Sequence, residues 1–127
     1  MAPTPSRLNS LILRSEALAA FVGGIAVWLY TGGSPLWLVP ALLLPDVSMV
    51  GYLANSRVGA LAYNVVHNWT LALLVLGLGW WLAIDPMVLV GALLVAHVGM
   101  DRALGYGLKL PTDFRDTHLG RIGHARA

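Results

Sequence analysis

Four long apolar stretches alternate with short polar connections along the chain. The stretches run from about Leu8 to Tyr30, Leu36 to Ala54, Gly59 to Ile84 and Met87 to Gly107. Each is long enough to cross the hydrocarbon core of a bilayer, which takes about 20 mostly apolar residues in a helix. The connections contain turn residues, among them Gly32-Gly33, Asn55-Ser56 and Asp85-Pro86. The pattern predicts an all-α fold, an integral membrane bundle of four transmembrane helices.

The composition agrees with this prediction. The chain of 127 residues is 57% hydrophobic and 11% charged, whereas soluble domains carry about a quarter charged residues. Cysteine is absent, which excludes disulfides and thiolate metal ligands. We therefore expect a single transmembrane domain, residues 1–107, followed by a polar and basic tail, residues 108–127.

The distribution of basic residues predicts the orientation of the bundle. All of them fall at the amino end, in the second connection or toward the carboxyl end: Arg7, Arg14, Arg57, Arg102, Lys109, Arg115, Arg121 and Arg126. The first and third connections contain neither Lys nor Arg. The positive-inside rule then places both termini and the tail in the cytoplasm, as in a multi-pass protein of the inner (plasma) membrane. This distribution fits orientation in a lipid membrane better than binding to nucleic acid.

Five ionisable residues interrupt the predicted spans, where a charged group costs at least ~2.5 kcal/mol. They are Glu16, Asp46, His67, His97 and Asp101. Counted from the predicted cytoplasmic side, these residues reach similar depths, about 14 Å in the case of Asp46 and His97. His97 and Asp101 are four residues apart and share a helical face. Pro45 should loosen the second helix and free backbone groups beside Asp46.

Two imidazoles and up to three carboxylates at one depth suit a divalent ion of zinc, iron or manganese. Three acids could hold two such ions. We expect the metal ligands to be Asp46, His67, His97 and Asp101, with Glu16 as a fifth ligand or general base. Residues that would orient the ligands are Ser48, Asn64 and Asn68. A metal-free hydrogen-bond network, a proton relay, or structural pairing of Glu16 with an arginine remain open.

Two classes of function follow from this cluster. A metal-dependent hydrolase would use the ion to activate a bound water, and a basic rim of Arg102 and Lys109 would favour an anionic substrate such as a lipid headgroup. The alternative is a non-catalytic metal-binding protein or an accessory subunit, in a homo-oligomer or a larger membrane complex. Ion movement is disfavoured, because the other half of each span has no acid or base to continue a path. Whether the chain is an enzyme stays open.

Several short strings resemble motifs of one bacterial family. They include Arg14-Ser15-Glu16, Pro45-Asp46-Val47-Ser48-Met49, Tyr63-Asn64-Val65-Val66-His67-Asn68 and the strings at 97–102, 105–109 and 114–120. From Leu11 to Gly123 the chain resembles the DUF4260 family of small integral membrane proteins, and the five ionisable residues fall at motif positions. The resemblance implies a four-helix membrane protein and no particular reaction. The placement of His and Asp in short apolar helices is also similar to that in membrane-bound metal-dependent hydrolases, a likeness of residue type only.

Overall fold

The computed structural model describes residues 7–106, 116–117 and 119–121 of the chain. In order, the helices are α1 (Arg7–Tyr30), α2 (Pro35–Leu43), a 3-10 helix (Leu44–Leu53), α3 (Ser56–Val66), α4 (Trp69–Trp81) and α5 (Asp85–Leu104). Two short antiparallel strands follow, β1 (Asp116–Thr117) and β2 (Gly120–Arg121). Four stretches are long and apolar enough to cross a membrane, residues 7–30, 35–53, 56–81 and 85–104. The predicted all-α fold with four candidate membrane spans is confirmed.

Two of these spans are broken, which differs from the four continuous helices that the sequence predicts. The second span changes from α to 3-10 geometry at Leu44, next to Pro45, and the loosening predicted for this proline is thus confirmed. The third span is interrupted at His67 and Asn68, whose backbone leaves the helical region. The Asn68 side chain accepts a hydrogen bond from the Leu71 N–H at 2.8 Å, and it thereby starts α4 as an N-cap.

Helix α5 is the centre of the bundle, and α1 and α4 both pack against it. Small residues allow this close approach. A Cβ atom on Gly24 of α1 would lie 2.7 Å from the Ala92 carbonyl and from the Ala96 nitrogen. Toward α4, a Cβ on Gly91 would lie 2.4 Å from the Leu76 backbone. Close backbone contact of this kind is how helices associate in a membrane, where burial of apolar surface gives little driving force.

The 3-10 helix and α3 form a second packing unit, a hairpin whose two arms contact each other more than they contact α5. Gly59 of α3 lies directly against the Tyr52 ring, and Gly51 lies against the Val58 carbonyl. Asn55 starts α3 by accepting a hydrogen bond from the Val58 N–H at 2.8 Å. The hairpin therefore has its own internal contacts, and its two helices have few contacts with the central helix.

The two ends of the bundle differ in chemistry. Aromatic side chains are highly exposed at one end, with Tyr30 at 94%, Trp37 at 66%, Trp80 at 80% and Trp81 at 86%. We call this the aromatic end; it fits the interfacial belt of membrane proteins. The start of α1, the start of α3 and the last turn of α5 lie at the opposite end and carry Arg7, Arg57 and Arg102. We call this the basic end, and its cytoplasmic location stays a prediction.

Candidate metal centre

Four side chains converge where the two helix breaks face α5. They are Asp46, His67, His97 and Asp101, and each contributes one possible ligand atom to a group in which all atoms lie within 4.8 Å of one another. His67, His97 and Asp101 are buried, and Asp46 is partly exposed. The predicted convergence of these four residues from three different spans is thus found in the structure. We call these four residues the His/Asp cluster.

The break in the third span positions His67. This residue ends α3, and its ring Nδ1 lies 2.8 Å from the Tyr63 carbonyl oxygen one turn earlier. Because a carbonyl can only accept, Nδ1 carries the proton and the opposite nitrogen, Nε2, is directed to the cluster. The Tyr63 ring stacks on the imidazole with 3.7 Å between ring centroids and 5° between planes. Hydrogen bond and stacking together fix the orientation of His67.

The break in the second span positions His97. Its Nδ1 donates a hydrogen bond to the Leu42 carbonyl. In the 3-10 pattern that begins with the bond from the Leu44 N–H to the Ala41 carbonyl, the next donor would be Pro45, which has no N–H. The Leu42 carbonyl is therefore available to the imidazole, and the Nε2 of His97, like that of His67, is directed to the cluster.

The two carboxylates complete the cluster. The Asp46 Oδ1 lies 3.1 Å from the Nε2 of His67 and 3.1 Å from the Nε2 of His97. The Asp101 Oδ2 lies 3.8 Å and 3.4 Å from the same two atoms. This oxygen also accepts a hydrogen bond of 2.9 Å from the Tyr63 hydroxyl. Tyr63 thus contacts two members of the cluster, one through its ring and one through its hydroxyl.

The donor atoms of this arrangement could hold a metal ion. The two Nε2 atoms are 2.9 Å apart, and with both Nδ1 atoms protonated each neutral ring presents a lone pair. Two carboxylates add two negative charges in an apolar region, where unpaired charge is costly. Atoms that bind one ion at about 2.0–2.2 Å lie about 2.8–3.1 Å apart when they subtend a right angle and somewhat further apart in tetrahedral geometry. The separations among the two Nε2 atoms and the Asp46 Oδ1 fit that range. The Asp101 Oδ2 lies further out, 3.4 and 3.8 Å from the two Nε2 atoms. The N/O donor set suits zinc, iron or manganese.

Access to the cluster is one-sided. The side chains of His97 and His67 are 0% and 2% exposed, whereas that of Asp46 is 36% exposed. Any small molecule would therefore approach along Asp46, because the other three ligand residues are covered by the bundle.

Glu16 does not join the His/Asp cluster, which corrects its prediction as a fifth ligand. Its side chain is exposed, and it lines a separate cavity between α1, α4 and α5. The neighbouring Ala17 is the buried residue that meets the central helix, and residues adjacent in a helix point about 100° apart. Glu16 therefore lies outside the four residues that could share one ion.

Three polar residues were predicted to orient the ligands, and two of them bind local backbone instead. The Ser48 hydroxyl donates to the Pro45 carbonyl at 2.8 Å, so it supports the turn that carries Asp46. The Asn68 amide donates to the Asn64 and Val65 carbonyls at 2.9 and 2.8 Å. The corresponding role of Asn64 stays a prediction.

Of the predicted basic rim, Arg102 and Lys109, only Arg102 lies within the residues that the structure describes. Arg102 is half-buried, and its guanidinium donates to the His67 carbonyl at 3.1 Å and to the Tyr106 carbonyl at 3.4 Å. It therefore binds the end of α3 beside the cluster. Lys109 lies outside the described residues.

Two groups that hold the cluster together were missed by the sequence reasoning. The first is Tyr63, whose helical i, i+4 spacing to His67 was a usable signal. The second is the Leu42 carbonyl, which lies three residues before Pro45 and so loses its 3-10 partner. Both features are local in the sequence, but they can be recognised only once the positions of the two helix breaks are known.

Comparison with models of protein families gives a match. The model of a protein family described as "Domain of unknown function (DUF4260)" matches residues 10–122 of this chain. No curated protein and no solved structure matches the chain.

Proposed function

Since the chain belongs to the DUF4260 family, a domain of unknown function, we propose its function from the His/Asp cluster. The chain is a membrane protein that holds one divalent metal ion through Asp46, His67, His97 and Asp101. With that ion it hydrolyses an anionic or lipid substrate. The observation that carries the proposal is the pair of Nε2 atoms 2.9 Å apart, both facing two carboxylates.

Charge balance supports a divalent ion. Two neutral imidazoles and two ionised carboxylates carry a net charge of −2, which one divalent cation neutralises within the apolar bundle. The Nδ1 bonds to backbone carbonyls support the same reading, because metal-bound histidines usually donate their second ring N–H to such a group. A single ion suffices, since Glu16 lies outside the cluster and, among the described residues, no third carboxylate that a second ion would use joins it.

The exposed edge at Asp46 supports catalysis. Catalytic metal sites keep one position open for water, whereas structural sites are closed. Three covered ligand residues hold the geometry here, and the partly exposed Asp46 leaves an approach for water and substrate. When bound, the ion would supply a nucleophilic hydroxide at neutral pH. Asp46, the member of the cluster that solvent reaches, would orient the incoming water. Glu16, predicted as a fifth ligand or general base, lies outside the cluster.

Metal analysis tests the site. Purified wild type loaded with zinc, iron or manganese should hold close to one equivalent by elemental mass spectrometry, and His97→Ala should hold much less. Asp85→Asn is the matched control, because Asp85 lies at the start of α5 at the aromatic end. Size-exclusion profiles show whether each variant is folded. The site would be refuted if folded wild type held no metal after incubation with the three ions. It would also be refuted if the Asp85 control lost as much metal as His97→Ala.

Turnover tests the reaction separately. The loaded protein should hydrolyse at least one ester among phospholipid and phosphate-ester substrates, and Asp46→Asn should lower the rate more than it lowers metal content. If the fully loaded protein hydrolyses none of these anionic esters, the result would favour a non-catalytic metal-binding protein. That second candidate has its own support in the complete burial of His97, because a covered ligand suits a structural ion.

A further inference from the structure

A continuous groove runs along the bundle between α1 and α4, over the surface of α5. Both outer helices pack on α5, and they have few contacts with each other. One cavity of about 470 Å³ occupies the half toward the basic end, and a second of about 560 Å³ occupies the half toward the aromatic end. Leu73 lines both cavities. The two cavities are therefore consecutive parts of one groove, separate from the His/Asp cluster.

The two ends of the groove have different chemistry. At the basic end Arg14 and Arg102 line it together with Glu16, so the ionisable residues there leave one net positive charge. The Arg14 side chain crosses from α1 to α5, where its Nη2 lies 2.6 Å from the position a Cβ on Gly105 would take. The rest of the wall on this side is mainly apolar, with Leu13, Ala20 and Val95 among the lining residues. Both guanidinium groups thus stand at one end of an apolar channel.

The Arg102 guanidinium retains donors for a ligand. Arg102 uses its two terminal nitrogens for the backbone bonds already described, and a guanidinium has five N–H donors in all. Arginine pairs with phosphate through parallel N–H bonds, which lysine cannot reproduce. The basic end of the groove is therefore suited to a phosphate group.

The length of the groove indicates which kind of phosphate it takes. The groove extends from Arg14 to Tyr30, a residue of the second cavity, and α1 rises by about 24 Å over that distance. One bilayer leaflet has about 15 Å of hydrocarbon, so the groove is long enough for the acyl chain of a lipid. A free phosphate would fill only the basic end and leave the apolar walls uncovered. We propose that this groove seats one anionic phospholipid, with its phosphate between Arg14 and Arg102 and an acyl chain running past Leu73 toward the aromatic end.

The proposal does not depend on the metal site, because none of the four cluster residues lines the groove. It does give the two sites a physical connection. Arg102 lines the groove and also donates to the carbonyl of His67. A lipid bound in the groove would therefore contact the residue that holds the break of the third span.

Native mass spectrometry on the full chain tests the proposal. Delipidated protein is titrated with phosphatidylglycerol and with phosphatidylcholine of identical acyl chains. Wild type should bind one phosphatidylglycerol per chain and prefer it to phosphatidylcholine by at least about fivefold, the effect of one basic residue near an anionic surface. Arg14→Gln should remove this preference, and Arg57→Gln, which lies at the basic end outside the groove, should retain it.

A second pair of variants tests the apolar part. Leu73→Trp should reduce binding of both lipids by filling the groove. Leu74→Trp is its matched control, because Leu74 is equally exposed at 55% and lines neither cavity. Equal affinity of wild type for the two lipids, or equal loss in the two arginine variants, would overturn the proposal. So would displacement of the lipid by millimolar inorganic phosphate, or dimers that Leu73→Trp disrupts, because the occupant would then be a free anion or a second copy of this chain.

Discussion

The hydroxyl of Tyr63 offers the sharpest test of how the cluster is held. It donates to the Asp101 Oδ2 at 2.9 Å, and the ring beneath it stacks on His67. Tyr63→Phe removes the hydroxyl and retains the ring, so stacking and packing volume are preserved. The expected result is weaker metal binding in a protein that still folds, because Asp101 loses the donor that orients its carboxylate.

The magnitude follows from the type of bond. A hydrogen bond to a charged group contributes about 1.5–3 kcal/mol, and loss of such an outer partner lowers metal affinity by about 10–100-fold. These two ranges agree, because a tenfold change in affinity corresponds to about 1.4 kcal/mol. We therefore expect the dissociation constant of the folded variant to rise by about 10–100-fold.

Competition with a chromophoric chelator in detergent solution measures this change. Tyr30→Phe is the matched control, because the same hydroxyl is removed from a side chain that is 94% exposed at the aromatic end. Thermal unfolding with and without chelator separates the two possible causes of a loss. An unchanged dissociation constant in Tyr63→Phe would refute the reasoning. So would a stability loss of equal size with and without metal, because the bond would then support the fold and not the ion.

Three further predictions concern the bundle and its breaks. Pro45→Ala restores an N–H that can compete for the Leu42 carbonyl, so metal affinity should fall in the chelator assay, whereas the exposed Pro40→Ala should bind as wild type. Gly99→Ala places a Cβ 2.6 Å from a backbone oxygen of α1 and should cost about 1–3 kcal/mol in thermal unfolding; Gly23→Ala meets nothing within 4 Å and should cost far less. Removing metal with a chelator should lower the melting temperature of wild type. A metal ion at a free concentration of 100 times its dissociation constant adds about 2.7 kcal/mol to the free energy of unfolding, and the chelator removes this contribution. An unchanged melting temperature after complete removal would contradict the metal-binding role.

The membrane spans were predictable because the length of an apolar stretch can be read directly from the sequence. All four appear within a few residues of their predicted limits, and the change of geometry at Pro45 follows from the missing N–H. The break at His67 was less accessible, because Asn68 is an N-cap signal inside an apolar stretch that otherwise predicts a continuous helix.

The direction of a side chain around its helix axis was not predictable from the sequence. Glu16 lies outside the cluster, and α1 meets α5 through its neighbour Ala17 and through Gly24. Small residues recur at intervals of four in two sets on α1, one ending at Gly23 and one at Gly24. The local sequence does not determine which of the two sets faces α5. Only the packed structure resolves that choice and therefore the number of acids in the cluster.

The order of the ligands along the chain has a consequence for how the protein is made. Asp46 comes from the second span, His67 from the third, and the remaining two ligands from the last. A nascent chain that has inserted three spans therefore has only half of the site. The final helix supplies both the other half and the central packing surface. Metal loading would thus be the last step of assembly, and a bound ion would mark a chain whose insertion into the membrane is complete.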